Sequence, residues 1–172
     1  MFKKRKSIRS YLPTPIEDKV LIEIMDAARS APSAGNVQPW HFIIVKNKEK
    51  RERIAKGCRY GKFLSESPII IIGCGDKLSS KWYAIDTSIA IEHIVLAATT
   101  YGLGTCWIGM FDEEDICKIV NLPDNFEIIA LLSIGFPKEQ TDFWAKILHF
   151  IRPKKKLLDI LSLEIYGKGC DY

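Results

Sequence analysis

The sequence predicts one sheet flanked by helices, of the α/β or α+β class, and three observations carry that reading. Segments with helical and with strand-like periodicity alternate along the chain. The run from Pro68 to Gly73 contains four consecutive isoleucines, the pattern of a strand buried on both faces. With 172 residues, 47% hydrophobic and 27% charged, the chain suits a single domain, 1–172, whose core needs neither disulfides nor a structural metal.

Taken in order, the first helix is expected to start at Thr14-Pro15-Ile16-Glu17. Thr14 suits the cap, Pro15 the first helical position, and Glu17 the far side of a capping box. Ile16, Val20, Ile24 and Ala28 follow at spacing four, and the helix ends before Pro32. His41 to Val45 reads as a β-branched strand and Lys48 to Lys56 as a charged, exposed helix. From Trp82 to Tyr101 apolar residues fall all round the helical wheel, so this helix is expected to be central or pressed against a second subunit. Thr105 to Ile108 reads as a strand, Asp112 to Val120 as a helix capped by Asp112, and Ile128 to Ile134 as a further buried strand. Leu157 to Tyr166 is apolar at helical spacing, which predicts a terminal helix.

Composition excludes several function classes. The longest apolar stretch, Ala84 to Leu103, is broken by Asp86, Glu92 and His93, and no apolar signal region follows Met1-Phe2-Lys3-Lys4-Arg5, so a cytoplasmic protein without membrane contact is expected. A net charge of +4 is mild, and nucleic-acid binding through the two basic clusters, Lys3 to Arg9 and Arg152 to Lys156, is the weaker use for them. Five cysteines without a CxxC pair, and scattered histidines, offer no metal site. The acids Asp112 to Asp115 read as the first turn of a helix, favoured by its dipole, before they read as metal ligands. Serine-hydrolase, zincin, P-loop and complete dinucleotide-binding signatures are missing.

Three segments concentrate polar and glycine residues where a plain scaffold has no need of them. Arg5-Lys6-Ser7-Ile8-Arg9 places two guanidiniums around a hydroxyl, a set suited to a phosphate or another anion. Ala31 to Trp40 is a turn-rich loop in which Asn36 and Gln38 each offer a donor and an acceptor; these suit the pyrimidine edge of a flavin or a base, or else bond their own backbone. Gly102 to Phe111 carries glycines that leave backbone amides uncovered, so that a flat ring can approach closely.

In the order and spacing of these segments the sequence resembles the nitroreductase family of FMN-dependent oxidoreductases. The motifs are Arg5-Lys6-Ser7-Ile8-Arg9, Pro32-Ser33-Ala34-Gly35-Asn36-Val37-Gln38-Pro39-Trp40, Gly102 to Gly109 after the long helix, and Gly135-Phe136-Pro137 closing the last core strand. The likeness covers about residues 3 to 166. It implies an α+β fold with a central, mainly antiparallel sheet, and a homodimer holding FMN at the subunit interface. By that resemblance Arg5, Lys6 and Ser7 belong to the phosphate and ribityl end, and Arg9 lies near flavin N1 and O2. Pro32, Ser33, Ala34, Asn36 and Gln38 flank the ring, Ser33 from the other subunit. Trp107, Ile108 and Gly109 lie along it, with the Gly109 N–H directed at N5. Arg152 or Lys154 returns to the phosphate, and the tail from about 138 to 172 wraps the partner.

The implied activity moves a hydride from NAD(P)H through N5 to nitroaromatic, quinone or similar acceptors by a ping-pong mechanism. A fixed guanidinium at Arg9 favours the negative charge that builds near N1 on reduction, so no protein acid or base is required. His41 is expected to pack rather than react. Gly57 to Ser67 and Lys138 to Phe150 are expected to cover the open ring face. The alternatives are a non-enzymatic flavin-binding or sensing module, and a family member specialised for another flavin chemistry.

Overall fold

A computed structural model describes residues 2–59, 61–138 and 153–169, which fall in two units, Met1–Gln140 and Thr141–Tyr172. The first unit runs α1 (Asp18–Arg29), a 3-10 turn (Ala34–Asn36), β1 (Trp40–Val45), α2 (Lys48–Lys56), α3 (Lys62–Glu66), β2 (Ile69–Asp76), α4 (Tyr83–Thr100), β3 (Gly104–Ile108), α5 (Glu113–Val120) and β4 (Phe126–Gly135). The four strands form one antiparallel sheet in the order β1-β2-β4-β3, which is the α+β alternative of the two the alternating pattern allowed.

The isoleucine run explains the layering. Ile69 and Ile71 face α1 and α4, packing with Ile24, Ile91, Ile94 and Leu132, whereas Ile70 and Ile72 face α2, α3 and α5 with Ile54, Leu64 and Ile116. Alternate residues of a strand point to opposite faces, so a continuous apolar run is what a sheet covered on both sides demands. A register shift between Gly73 and Cys74 adds one residue to β4 and changes which of its side chains face which layer, leaving Ile128 and Leu131 on the same side.

Helix starts follow local chemistry. The Asn47 side chain accepts the Lys50 N–H at 2.9 Å to cap α2, and Asp112 accepts that of Asp115 at 3.2 Å to cap α5. The acids 112–115 are therefore a helix start, as their order suggested. Helix α1 departs from expectation: it begins at Asp18 with Glu17 at its cap and no side-chain capping bond. Thr14 precedes a proline, which disfavours helix there, and Ile16 is buried from an extended segment ahead of the helix, so Thr14 and Pro15 stay outside it.

The terminal helix expected over residues 157–166 is likewise not formed. Leu157–Ile160 makes a single 3-10 turn, Glu164 takes a left-handed φ of 62°, and every described residue from Pro153 to Gly169 is exposed, Leu157 by 67%. A helix of this length depends on packing its apolar face, and here that face is uncovered. Most of the tail expected to wrap the partner, residues 139–152 with Phe143, Trp144 and Phe150 among them, lies outside the described residues. Among the described residues no helix is long and apolar enough to cross a membrane.

Candidate functional site

The basic N-terminal segment is fastened to the sheet by its own backbone. Ser7 forms a parallel bridge with Thr105 at the start of β3, and the Ile8 N–H donates to the Thr105 carbonyl at 2.8 Å. A few residues on, Leu12 N–H donates to the Phe136 carbonyl at 2.9 Å and Lys138 N–H to that of Ser10 at 3.0 Å. The segment is thus an arm laid along β3 and the end of β4, with Arg5 and Ser7 half-buried and Lys6 and Arg9 exposed. Gly104 makes the approach possible. A Cβ there would sit 2.4 to 3.0 Å from Cγ1, Cβ and Cγ2 of Ile8, closer than packed carbons come.

Directly after Trp107 and Ile108, the last residues of β3, comes Gly109, which is exposed and has no atom within 4 Å of the position a Cβ would take. Neither crowding nor a positive φ requires glycine at this position. What its absent side chain does is leave the backbone open to whatever lies in front. Beside it opens a cleft of about 780 Å³, walled by Lys56, Cys58 and Arg59 on one side and Met110, Phe111 and Asp112 on the other. The walls are joined by Asp112 N–H to the Gly57 carbonyl, 2.8 Å, and by a bridge between Cys58 and Phe111. Residues 57–59, expected as part of the cover, do stand next to Gly109; the stretch 139–150, its expected other half, lies outside the described residues.

The loop before β1 is a strained turn. Gly35, Asn36 and Gln38 all take left-handed φ values, 58°, 56° and 54°. For Asn this costs little, for Gln about 1 kcal/mol or more. Three side-chain bonds hold it: Ser33 Oγ accepts the Gln38 N–H at 2.9 Å, the Gln38 Nε2 donates to the Asn36 carbonyl at 3.2 Å, and the buried carboxylate of Asp86, 4% exposed, accepts the Ala34 N–H at 3.1 Å. Gln38 therefore spends its amide inside the turn, as the structural alternative held. The Asn36 carboxamide makes no hydrogen bond among the described residues. Pro32 is exposed at the mouth of the turn.

Within one chain these pieces form two groups. The arm and Gly109 share the β3 edge of the sheet. The turn stands at the β1 edge, three inter-strand gaps or about 14 Å away, and at the other end of α4 from Thr105, the length of whose 18 residues is about 27 Å. Arg152 lies outside the described residues, and Lys154 is exposed in the second unit. Asp86 was missed as a functional residue; an acid in the first turn of the largely apolar 83–100 helix was the available signal.

The nitroreductase family model matches residues 2–60 and 55–136. A protein of Archaeoglobus fulgidus, provisionally named NADH dehydrogenase/NAD(P)H nitroreductase, is 36% identical over 152 residues, spanning 84% of this chain and 87% of its own. The chain belongs to the nitroreductase family. A solved nitroreductase family protein from Clostridium difficile 630 superimposes with a TM-score of 0.81 at 32% identity, covering 95% of this chain and 96% of its own. An FMN-dependent nitroreductase from C. difficile R20291 gives 0.77 at 32%, covering 81% and 87%. More distant relatives are named iodotyrosine deiodinase and 5,6-dimethylbenzimidazole synthase, so the nitroreductase fold serves more than one chemistry.

The cofactor this family implies is FMN, and the residues present fit it. Two guanidiniums and a hydroxyl on a fixed arm suit a phosphate-bearing chain. The open backbone at Gly109 suits the close approach of a flat ring, and the Asn36 carboxamide retains both its donor and its acceptor for a polar ring edge.

Proposed function

We propose that this nitroreductase-family chain is an FMN-dependent oxidoreductase, acting as a homodimer, that takes hydride from NAD(P)H and delivers it to a nitroaromatic, quinone or similar acceptor. The observation that carries the reading is the fastening of the Arg5–Arg9 arm to the strand that precedes the uncovered Gly109: an anion-binding set and a stretch of backbone bare of side chain are held by one edge. The dimer is supported by the placement of the carboxamide turn at the opposite edge, where it serves a second copy's β3 edge better than its own, and by Trp82 at the cap of α4 and Ile85 within it, 46% and 53% exposed.

FMN, when bound, supplies the two-electron chemistry. Arg5 and Ser7 hold its phosphate and ribityl end. The Arg9 guanidinium would stand near the part of the ring that gains negative charge on reduction and lower the cost of that charge. The backbone at Gly109 would face the reacting part of the ring, and Asn36 from the second copy would bond its polar edge. The cleft walled by residues 56–59 and 109–112 admits donor and acceptor in turn to one face, which makes the kinetics ping-pong.

The test is direct. Purified protein is expected to be yellow, or to become so with added FMN, and its flavin absorbance to bleach with NADH or NADPH. A colourless protein that ignores FMN contradicts the proposal.

A further inference from the structure

Gln38 breaks two local rules at once. Its φ of 54° lies in the left-handed region, where a side chain other than that of asparagine or aspartate is strained, and it precedes Pro39, which pushes the residue before it toward extended backbone. Packing gives glutamine no reason to be there, because Gln38 is exposed while Pro39 behind it is buried. Its backbone bond, the N–H to Ser33 Oγ at 2.9 Å, is one that glycine would make as well and without strain. What glycine lacks is the amide, and the Gln38 Nε2 donates to the Asn36 carbonyl at 3.2 Å. Strain at a position where glycine would relieve it points to a function for the side chain that brings it.

The amide acts on Asn36. The peptide before Asn36 is held through the Asn36 N–H, 3.0 Å from the Ser33 carbonyl, and the peptide after it through the Val37 N–H, 3.2 Å from that of Ala34. A peptide plane held at its N–H alone can rock about that bond. Gln38 takes the C=O of the second peptide, so this plane is fixed at both ends. The backbone angles of Asn36 set where its Cβ points, and rocking of the plane would sweep its carboxamide over several directions. We propose that the Gln38 amide is a positioning residue: it holds the Asn36 backbone so that the Asn36 carboxamide meets the polar edge of the flavin ring already aimed, and binding does not have to order it. The proposal rests on the FMN reading above.

The experiment titrates full-length protein stripped of flavin with FMN, following flavin fluorescence, and measures unfolding of the same variants in urea. Gln38→Gly is expected to weaken FMN about fivefold, as loss of one hydrogen bond does. Gln38→Ala loses the same amide but keeps the strain, so it should weaken FMN equally and unfold at lower urea than Gln38→Gly. Equal affinities at unequal stabilities separate positioning from a merely structural role. Asn36→Ala should cost about tenfold, and adding Gln38→Gly to it should change the affinity by less than about twofold, because Gln38 acts only through Asn36. Should Gln38→Gly not fold, Gln38→Ala carries the same double-variant comparison. Affinities that follow stability, losses that multiply in the double variant, or no loss in either Gln38 variant overturn the role of Gln38 and leave the FMN reading intact. An Asn36→Ala protein that binds FMN as wild type does removes Asn36 from the ring edge and the proposal with it. A wild-type protein that binds no FMN overturns the FMN reading itself.

Discussion

The arginine arm and the carboxamide turn are held by different means. Backbone bonds to Thr105 in β3 and to Phe136 just past β4 fasten the arm and the residues after it, and the arm carries no left-handed residue. The turn holds three left-handed residues within four positions, 35 to 38, and its only described side-chain tie to another element is the Asp86 carboxylate. Preorganisation by a sheet and preorganisation by a single buried acceptor reach the same end, but they fail differently: crowding displaces the first, and loss of one group releases the second.

The largest effect is expected at Gly104. An alanine there must push Ile8 away, so Gly104→Ala should weaken FMN about a hundredfold while costing about 1 to 3 kcal/mol of stability, read by flavin titration and denaturant unfolding. A folded Gly104→Ala protein with unaltered FMN affinity would remove the arm from the site. Next comes Asp86→Ala, which orphans the Ala34 N–H; flavin affinity should fall about tenfold. Asp86→Asn keeps an acceptor oxygen and should stay within about threefold of wild type. Equal losses for the two substitutions would show that charge rather than the hydrogen bond holds the turn.

Arg9→Ala separates binding from tuning. If it removes the cation proposed to stand near the ring, the flavin midpoint potential should fall by about 30 mV, equivalent to about 1.4 kcal/mol for two electrons, and turnover should slow. An unchanged potential measured by dye equilibration would withdraw that role. The smallest effect concerns the layers beneath. Burial pushes the Cys58 thiol up to about 11 and that of Cys74 to about 12, so both stay protonated at neutral pH. Neither should react with iodoacetamide over hours at pH 7.5; rapid labelling of Cys58, under the cleft, would mean that this wall opens.

How legible these regions were follows from how local their causes are. The isoleucine run announced a strand covered on both faces because strand periodicity is a property of consecutive residues. The Asp112 cap was equally local. The first helix began four residues later than its Thr14 signal because a tertiary event, burial of Ile16 from an extended segment, outweighed a local capping pattern. Apolar spacing in residues 157–166 predicted a helix, but a face without a covering surface does not fold one. In the candidate site the arm and the glycines stood out as excess polarity and missing side chains. The Asp86 tie joined residues 52 positions apart through space, and no spacing rule reports such a pair.

The central claim is that each flavin site takes its arginine arm from one copy and its carboxamide turn from another. Co-refolding an arm-defective variant, Arg5→Ala with Arg9→Ala, with a turn-defective one, Asn36→Ala with Ser33→Ala, tests it. Random pairing makes half of the dimers mixed, and each mixed dimer has one of its two sites built from intact parts, so about a quarter of wild-type FMN binding and turnover should return although neither variant alone shows any. If arm and turn of the same chain serve one site, every site in the mixture carries a defect, and no recovery on mixing would contradict the account.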